Sequence, residues 1–156
     1  MPATTICLPF LVALGLASPD CTAPPAPRSG TAPSFYASLA SETAQVDPLA
    51  ARALISSHRA NHGFAPLTIH PALQESARRK AREMARRGQA SGGVPGIPVQ
   101  NSSAGSLDLA EAFSGWRQSP LHNANMLNPA MRHIGIATAY APGSKYKVFW
   151  VLLLAE

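Results

Sequence analysis

The sequence predicts an α+β fold, a single-domain three-layer α-β-α sandwich. Three observations predict it. Near the carboxyl end Val148, Trp150, Leu152 and Leu154 alternate with Phe149, Val151 and Leu153, so a strand over 146–154 is apolar on both faces and needs helices above and below it. Upstream lie three stretches with apolar residues at helical spacing. Finally, residues 47–156 make 110 of the 156 residues, within the ~100–150 of one domain with one modest core.

The elements follow in order. Ile6 to Ala17 is an uncharged, mainly apolar run of 12 residues, too short for the ~20 that span a bilayer as a helix. It ends in Gly15, Leu16 and Ala17, small enough for signal-peptidase cleavage, so residues 1–17 read as a signal peptide and the mature chain is expected to start at Ser18. Cleavage there removes Cys7 and leaves Cys21 unpaired, so no disulfide framework holds the domain; lipidation of Cys21 is the alternative form of export. Residues 18–46 are rich in Pro, Ser, Thr and Ala and read as a tether with little structure.

Asp47 and Pro48 suit the start of a first helix, a side-chain acceptor followed by a residue tolerated at the first helical position, and that helix should end near Gly63. Pro71 starts a second helix. On it Leu73, Ala77, Ala81 and Met84 form a narrow apolar stripe opposite an Arg-rich face, as far as Gly88. Ser106 is the expected cap of a third helix carrying Leu109, Ala112, Phe113 and Trp116 and ending on Trp116. Pro120 should then break the chain into a short polar turn that aims His122 across a cleft. Two strands, 132–140 and 146–154, should close through Pro142, Gly143 and Ser144, with Gly143 supplying a permissive φ.

The net charge is +5, and residues 75–87 carry six cations against two carboxylates. A solvated face with Glu75–Arg79 and Glu83–Arg87 pairs accounts for this. Alternatively Arg78, Arg79, Arg82 and Arg86 meet an anionic surface such as lipid headgroups or acidic glycans. No aromatic interleaving or motif points to nucleic acid.

One cluster stands out: Trp116, then Ser119, Pro120 and His122, then Asn125 and Leu127. Ahead of it, Leu54 and Ile55 lead through Ser56 to Arg59 and on to Gly63, Pro66 and Leu67. After it come a Gly-containing segment, Ile134 to Ala137, and a Trp-bearing one, Val148 to Val151. Together these resemble the CAP superfamily, the module shared by cysteine-rich secretory proteins, antigen 5 and pathogenesis-related 1 proteins. The likeness runs over about residues 48–155, with Ser56 where the family's bacterial branch has Asn.

The resemblance implies an α-β-α sandwich and a cleft with two His and two acidic residues, a set that holds a divalent metal in some members. Here Gly92 falls at the first His position and Gln100–Asn101 where Glu–Asn is usual, and only His122 is retained. The cleft candidates are therefore His122, Asn125, Gln100, Asn101 and Trp116, with His122 as the one metal-ligand candidate. Zinc takes three or four protein ligands, so no resident cofactor is expected and zinc should bind weakly at most; Gly92→His with Gln100→Glu should tighten it.

No catalytic residue is assigned. His58 and His62 have i,i+4 ligand spacing without the Glu of a zincin helix, and read as surface residues. Ser119 lacks an Asp to complete a triad with His122. Trp116 and Trp150 are core residues or the walls of an apolar groove. The chain thus reads as a secreted or envelope-associated binding module with a degenerate cleft, more a non-enzyme than an enzyme. A metal-assisted hydrolase of peptide or cell-wall material, or a small-lipid carrier, is the alternative.

Overall fold

The computed structural model describes residues 34–90 and 92–156; the expected signal peptide, Cys7, Cys21 and the first part of the tether lie outside them. Within the described residues the chain forms helices α1 (Pro48–Ala60), α2 (Pro71–Arg87), α3 (Leu109–Gln118) and α4 (Pro120–Met126), with strands β1 (Thr68–Ile69), β2 (Val99–Ala104), β3 (His133–Tyr140) and β4 (Val148–Ala155). The sheet order is β1-β3-β4-β2, with β1 parallel to β3 and the other pairs antiparallel. β4 is central and buried along seven of its eight residues, as its two-sided apolar pattern requires.

Alternation along β4 divides the core in two. Phe149, Val151 and Leu153 join Ala137 of β3 and the α2 stripe, Leu73, Ala77, Ala81 and Met84. Val148, Trp150, Leu152 and Leu154 face the opposite way, against Ile55 of α1, Leu109, Phe113 and Trp116 of α3, and Met126 of α4. The expected three layers are present, with one helix above the sheet and three below.

On the upper side α2 comes unusually close to β3. A Cβ on Gly135 would overlap the backbone of Leu73 and Gln74, so only glycine permits this approach. The buried Gln74 uses the proximity: its Nε2 donates to the Ile136 carbonyl at 2.6 Å, and its Oε1 accepts from the Ile136 N–H at 3.1 Å. A polar residue on the buried face of α2 is thereby satisfied.

Several expectations need correction. Residues 34–46 are not tether: Leu39 and Val46 join the lower core, Leu39 N–H donates to the Leu107 carbonyl at 2.7 Å, and Val46 N–H to Thr138 Oγ1 at 3.1 Å. Phe35, Leu39 and Val46, apolar residues in a polar stretch, were the signal. The third helix is capped by Asp108 rather than Ser106, because Asp108 Oδ1 accepts from Glu111 N–H while Glu111 Oε2 accepts from Leu107 N–H, a reciprocal pair one residue out from the usual box. It continues past Trp116 to Gln118.

The expected polar turn is a helix. Pro120 begins α4 instead of merely ending α3, since its fixed φ suits a first helical position. In the β3–β4 connection the left-handed residue is Lys147 (φ 60°), not Gly143. Glu75 pairs with Arg78 at 3.7 Å and Arg82 at 3.4 Å in place of Arg79, while Glu83–Arg87 forms as expected at 3.2 Å. The short edge strand β1 and the longer β2 were not anticipated; the Ser and Asn of 101–103 mask a strand whose partner, β4, supplies the apolar content.

Candidate functional site

The site is built around α4, and α4 is too short to position itself. It has seven residues, of which only Met126 is buried. Its place comes from polar groups on three sides.

From the sheet, β2 pairs Asn101 with Leu152 and Gln100 with Leu153, so the pleat turns Asn101 toward α4 and Gln100 toward the α2 face. The fully buried Asn101 donates from Nδ2 to the His122 carbonyl at 3.0 Å. Its Oδ1 accepts from Asn125 Nδ2 at 2.9 Å, and Asn125 also donates to the Gln100 carbonyl at 3.0 Å. From α1, His58 Nε2 and Asn123 Oδ1 lie 2.8 Å apart, with the His58 ring edge-on to Phe113 at 5.6 Å. His58 is therefore a half-buried link between helices and not a chance surface residue; His62 remains exposed.

The third anchor is Arg59, 0% exposed. Its guanidinium donates to the carbonyls of Ala65 (2.8 Å), Met126 (2.7 Å), Asn128 (2.9 Å) and Met131 (3.1 Å). It thus gathers the carboxyl end of α4 and the loop that leads into β3. Burial, and then the charge of Arg132, lower its pKa, but guanidinium retains its proton in proteins. Sequence reasoning missed this role. The signal was its place on the buried stripe of α1, four residues after Ile55 and eight after Ala51. Ser56, where the bacterial branch has Asn, accepts from Leu67 N–H at 3.1 Å and fixes the start of β1.

His122 itself is half-buried, and among the described residues its ring has no hydrogen-bond partner. Desolvation lowers its pKa, so the imidazole is neutral near pH 7. Among the described residues no carboxylate orients it, as a triad or a metal-bound histidine would require. The site therefore presents one neutral donor–acceptor on a rigidly held helix, beside Leu121, which is 70% exposed.

The remaining candidates are not brought to the ring in the expected way. Gln100 turns to the α2 side, where its Oε1 accepts from Val94 N–H at 3.0 Å. Trp116 is core and not a groove wall: it is 1% exposed, packs edge-on to Trp150 at 6.1 Å and donates from Nε1 to Ser103 Oγ at 3.2 Å.

A divalent metal does not fit these residues. Gly92 has no donor, its φ is +71°, and a Cβ there would stand 3.2 Å from the Lys80 ammonium. A histidine at 92 would be strained and would place its metal beside a cation. The Gly92→His, Gln100→Glu pair is thus not expected to create a zinc site. Among the described residues no three His, Cys, Asp or Glu side chains are grouped to hold a metal.

Comparison with known proteins agrees with this architecture. The structure resembles an extracellular SCP-domain protein of Bacillus anthracis (TM-score 0.55, 19% identity, 68% of this chain and 39% of that one). It also resembles an outer surface protein of Borrelia burgdorferi (0.57, 16%, 72% and 97%) and the hookworm platelet inhibitor (0.51, 16%, 68% and 66%). The chain spans about two-fifths of the length of the Bacillus protein. Among curated proteins none matches significantly. A model of the cysteine-rich secretory protein family matches residues 52–154, nearly the whole of the described fold from α1 to β4, and the chain belongs to that CAP family.

Proposed function

We propose that this chain is a secreted or envelope-associated CAP-domain binding module without catalysis of its own. The observation that carries this reading is the use to which the site's polar groups are put. Asn101, Asn125, Asn123 and Arg59 spend their hydrogen bonds on holding α4, which leaves a neutral His122 without an acid, a base or a metal-ligand partner among the described residues. What remains is a contact surface of His122 and the exposed Leu121.

Export is supported by the apolar run ending at Ala17 and by the extracellular or outer-surface character of the Bacillus and Borrelia proteins. No helix of the described residues is long and apolar enough to cross a membrane. The mass of the mature chain should correspond to a start at Ser18; an intact Met1 would contradict export, and a diacylglycerol adduct on Cys21 would make the protein a lipoprotein.

The test of function pairs two measurements. Purified protein, with and without zinc, should release no more product from peptidoglycan or fluorogenic peptides than its His122→Ala variant. Leu121→Asp with His122→Ala should lose sedimentation with the producing cell's envelope while melting as the parent does. Turnover that depends on His122 would establish the hydrolase instead, and unchanged sedimentation would remove α4 from the binding surface.

A further inference from the structure

The outer face of α2 offers a second site, on the other side of the sheet from α4. Between α2 and the loop at 93–95 runs a groove of about 610 Å³, lined by Arg79, Lys80, Arg82 and Arg86, with Glu83 as its one carboxylate. Arg78 is outside this lining, paired with Glu75. Arg79 reaches only Ser76 Oγ, at 3.0 Å, and among the described residues neither it nor Arg86 has a carboxylate partner.

Lys80 makes the groove more than a charged helix surface. It is 8% exposed, and among the described residues its ammonium, with three donors, has one partner, Glu83 Oε2 at 3.4 Å, in a carboxylate whose Oε1 also holds Arg87. Burying a cation with so little compensation is costly. Gly92 faces this ammonium without a side chain, and a Cβ there would stand 3.2 Å from it. A ligand oxyanion would supply the missing acceptors.

The spacing suits a linear ligand. Arg79, Arg82 and Arg86 stand at i, i+3 and i+7, one helical face over about 10 Å of axis. Among the described residues no aromatic side chain lines the groove, so none of them offers a face on which nucleic-acid bases would stack. The exposed large apolar side chains of the described residues, Tyr36, Leu49, Leu107, Leu121 and Tyr146, all lie outside its lining, where Val94 and Pro95 are the apolar members, a small anchor for a bilayer.

We propose that this groove binds an acidic polysaccharide, through oxyanion groups repeated along the chain that Arg79, Arg82, Arg86 and the buried Lys80 ammonium engage in turn. The proposal does not depend on the reading of α4.

Dextran sulfate is the probe, measured by calorimetry against neutral dextran, inorganic sulfate, a single-stranded oligonucleotide and phosphatidylglycerol vesicles. Binding should be confined to dextran sulfate and should weaken with salt. Arg79→Gln with Arg86→Gln should weaken it by roughly tenfold, against no more than about twofold for the charge-matched Arg117→Gln with Lys145→Gln, which lies outside the groove. Lys80→Met, checked for an unchanged fold by circular dichroism, should weaken it further. Equal losses in the two double variants would reduce the effect to net charge and overturn the proposal. So would tighter binding to the oligonucleotide or the vesicles, or inorganic sulfate binding as tightly as the polymer.

Discussion

α2 and α4 lie on opposite sides of one sheet and are held there by different physics. α2 has seventeen residues and presses a stripe of Leu, Ala and Met on β3 and β4; burial of that stripe dominates its placement, with only Gln74 adding hydrogen bonds to β3, and its outer face is free to carry charge. α4 has two turns and one buried residue, too little apolar area to overcome the cost of ordering it. Hydrogen bonds from two other elements, β2 and α1, take over that task. The contrast teaches that a short helix is positioned by the polar residues around it, so the Asn and Arg near His122 are better explained as structural than as reactive groups.

The largest expected effect is common to both layers. Trp150→Ala, in the strand between them, should cost about 3–5 kcal/mol, because it empties the lower core and removes the partner of Trp116; a melting temperature within a degree or two of the parent would refute the packing described. Arg59→Met separates the layers. It strips the donor from four carbonyls and should cost about 2–4 kcal/mol, less than the sum of four lost bonds because water can reach some of them. Asn125→Ala removes two bonds to β2 and should cost about 1–2 kcal/mol, whereas Arg86→Ala on the outer face of α2 should stay within about 0.5 kcal/mol. Chemical denaturation ranks these three, and an Arg86 variant as damaging as Asn125→Ala would erase the distinction between the helices.

The smallest effect is on pH dependence. His122 has a folded pKa below its ordinary 6.5, so the unfolded chain takes up this proton first. Its contribution to stability is complete above that value and declines as pH falls from 6.5 toward the folded pKa. His122→Gln should flatten that part of the stability–pH curve, and an unchanged curve would mean that the ring is as solvated in the fold as out of it.

Much of this was legible in the sequence, for identifiable reasons. The two-sided pattern of β4 and the stripe of α2 are periodic, and periodicity survives without knowledge of the partner. The family resemblance placed His122 and Asn125 together, and they do share one helix. What stayed hidden depends on long-range partners. Arg59 belongs to the family pattern, but its task is hidden until the carbonyls of 126–131 are folded around it. Asn101 and Gln100 are neighbours in the chain, yet a strand's alternation sends them to opposite faces, and that strand was not expected. Trp116 suited a core by default yet stayed a cleft candidate until Ser103 and Trp150 were placed beside it.

The central claim is that hydrogen bonds, not burial, hold α4 and with it His122. Native-state hydrogen exchange of Arg59→Met beside Leu73→Ala tests it most directly. The account predicts that in Arg59→Met the amides of α4 lose protection well beyond the global loss of stability while those of α2 follow the global value, and that in Leu73→Ala the amides of α4 lose no more than that global value. A uniform loss of protection in Arg59→Met, with α4 no more exposed to exchange than β4, would contradict it.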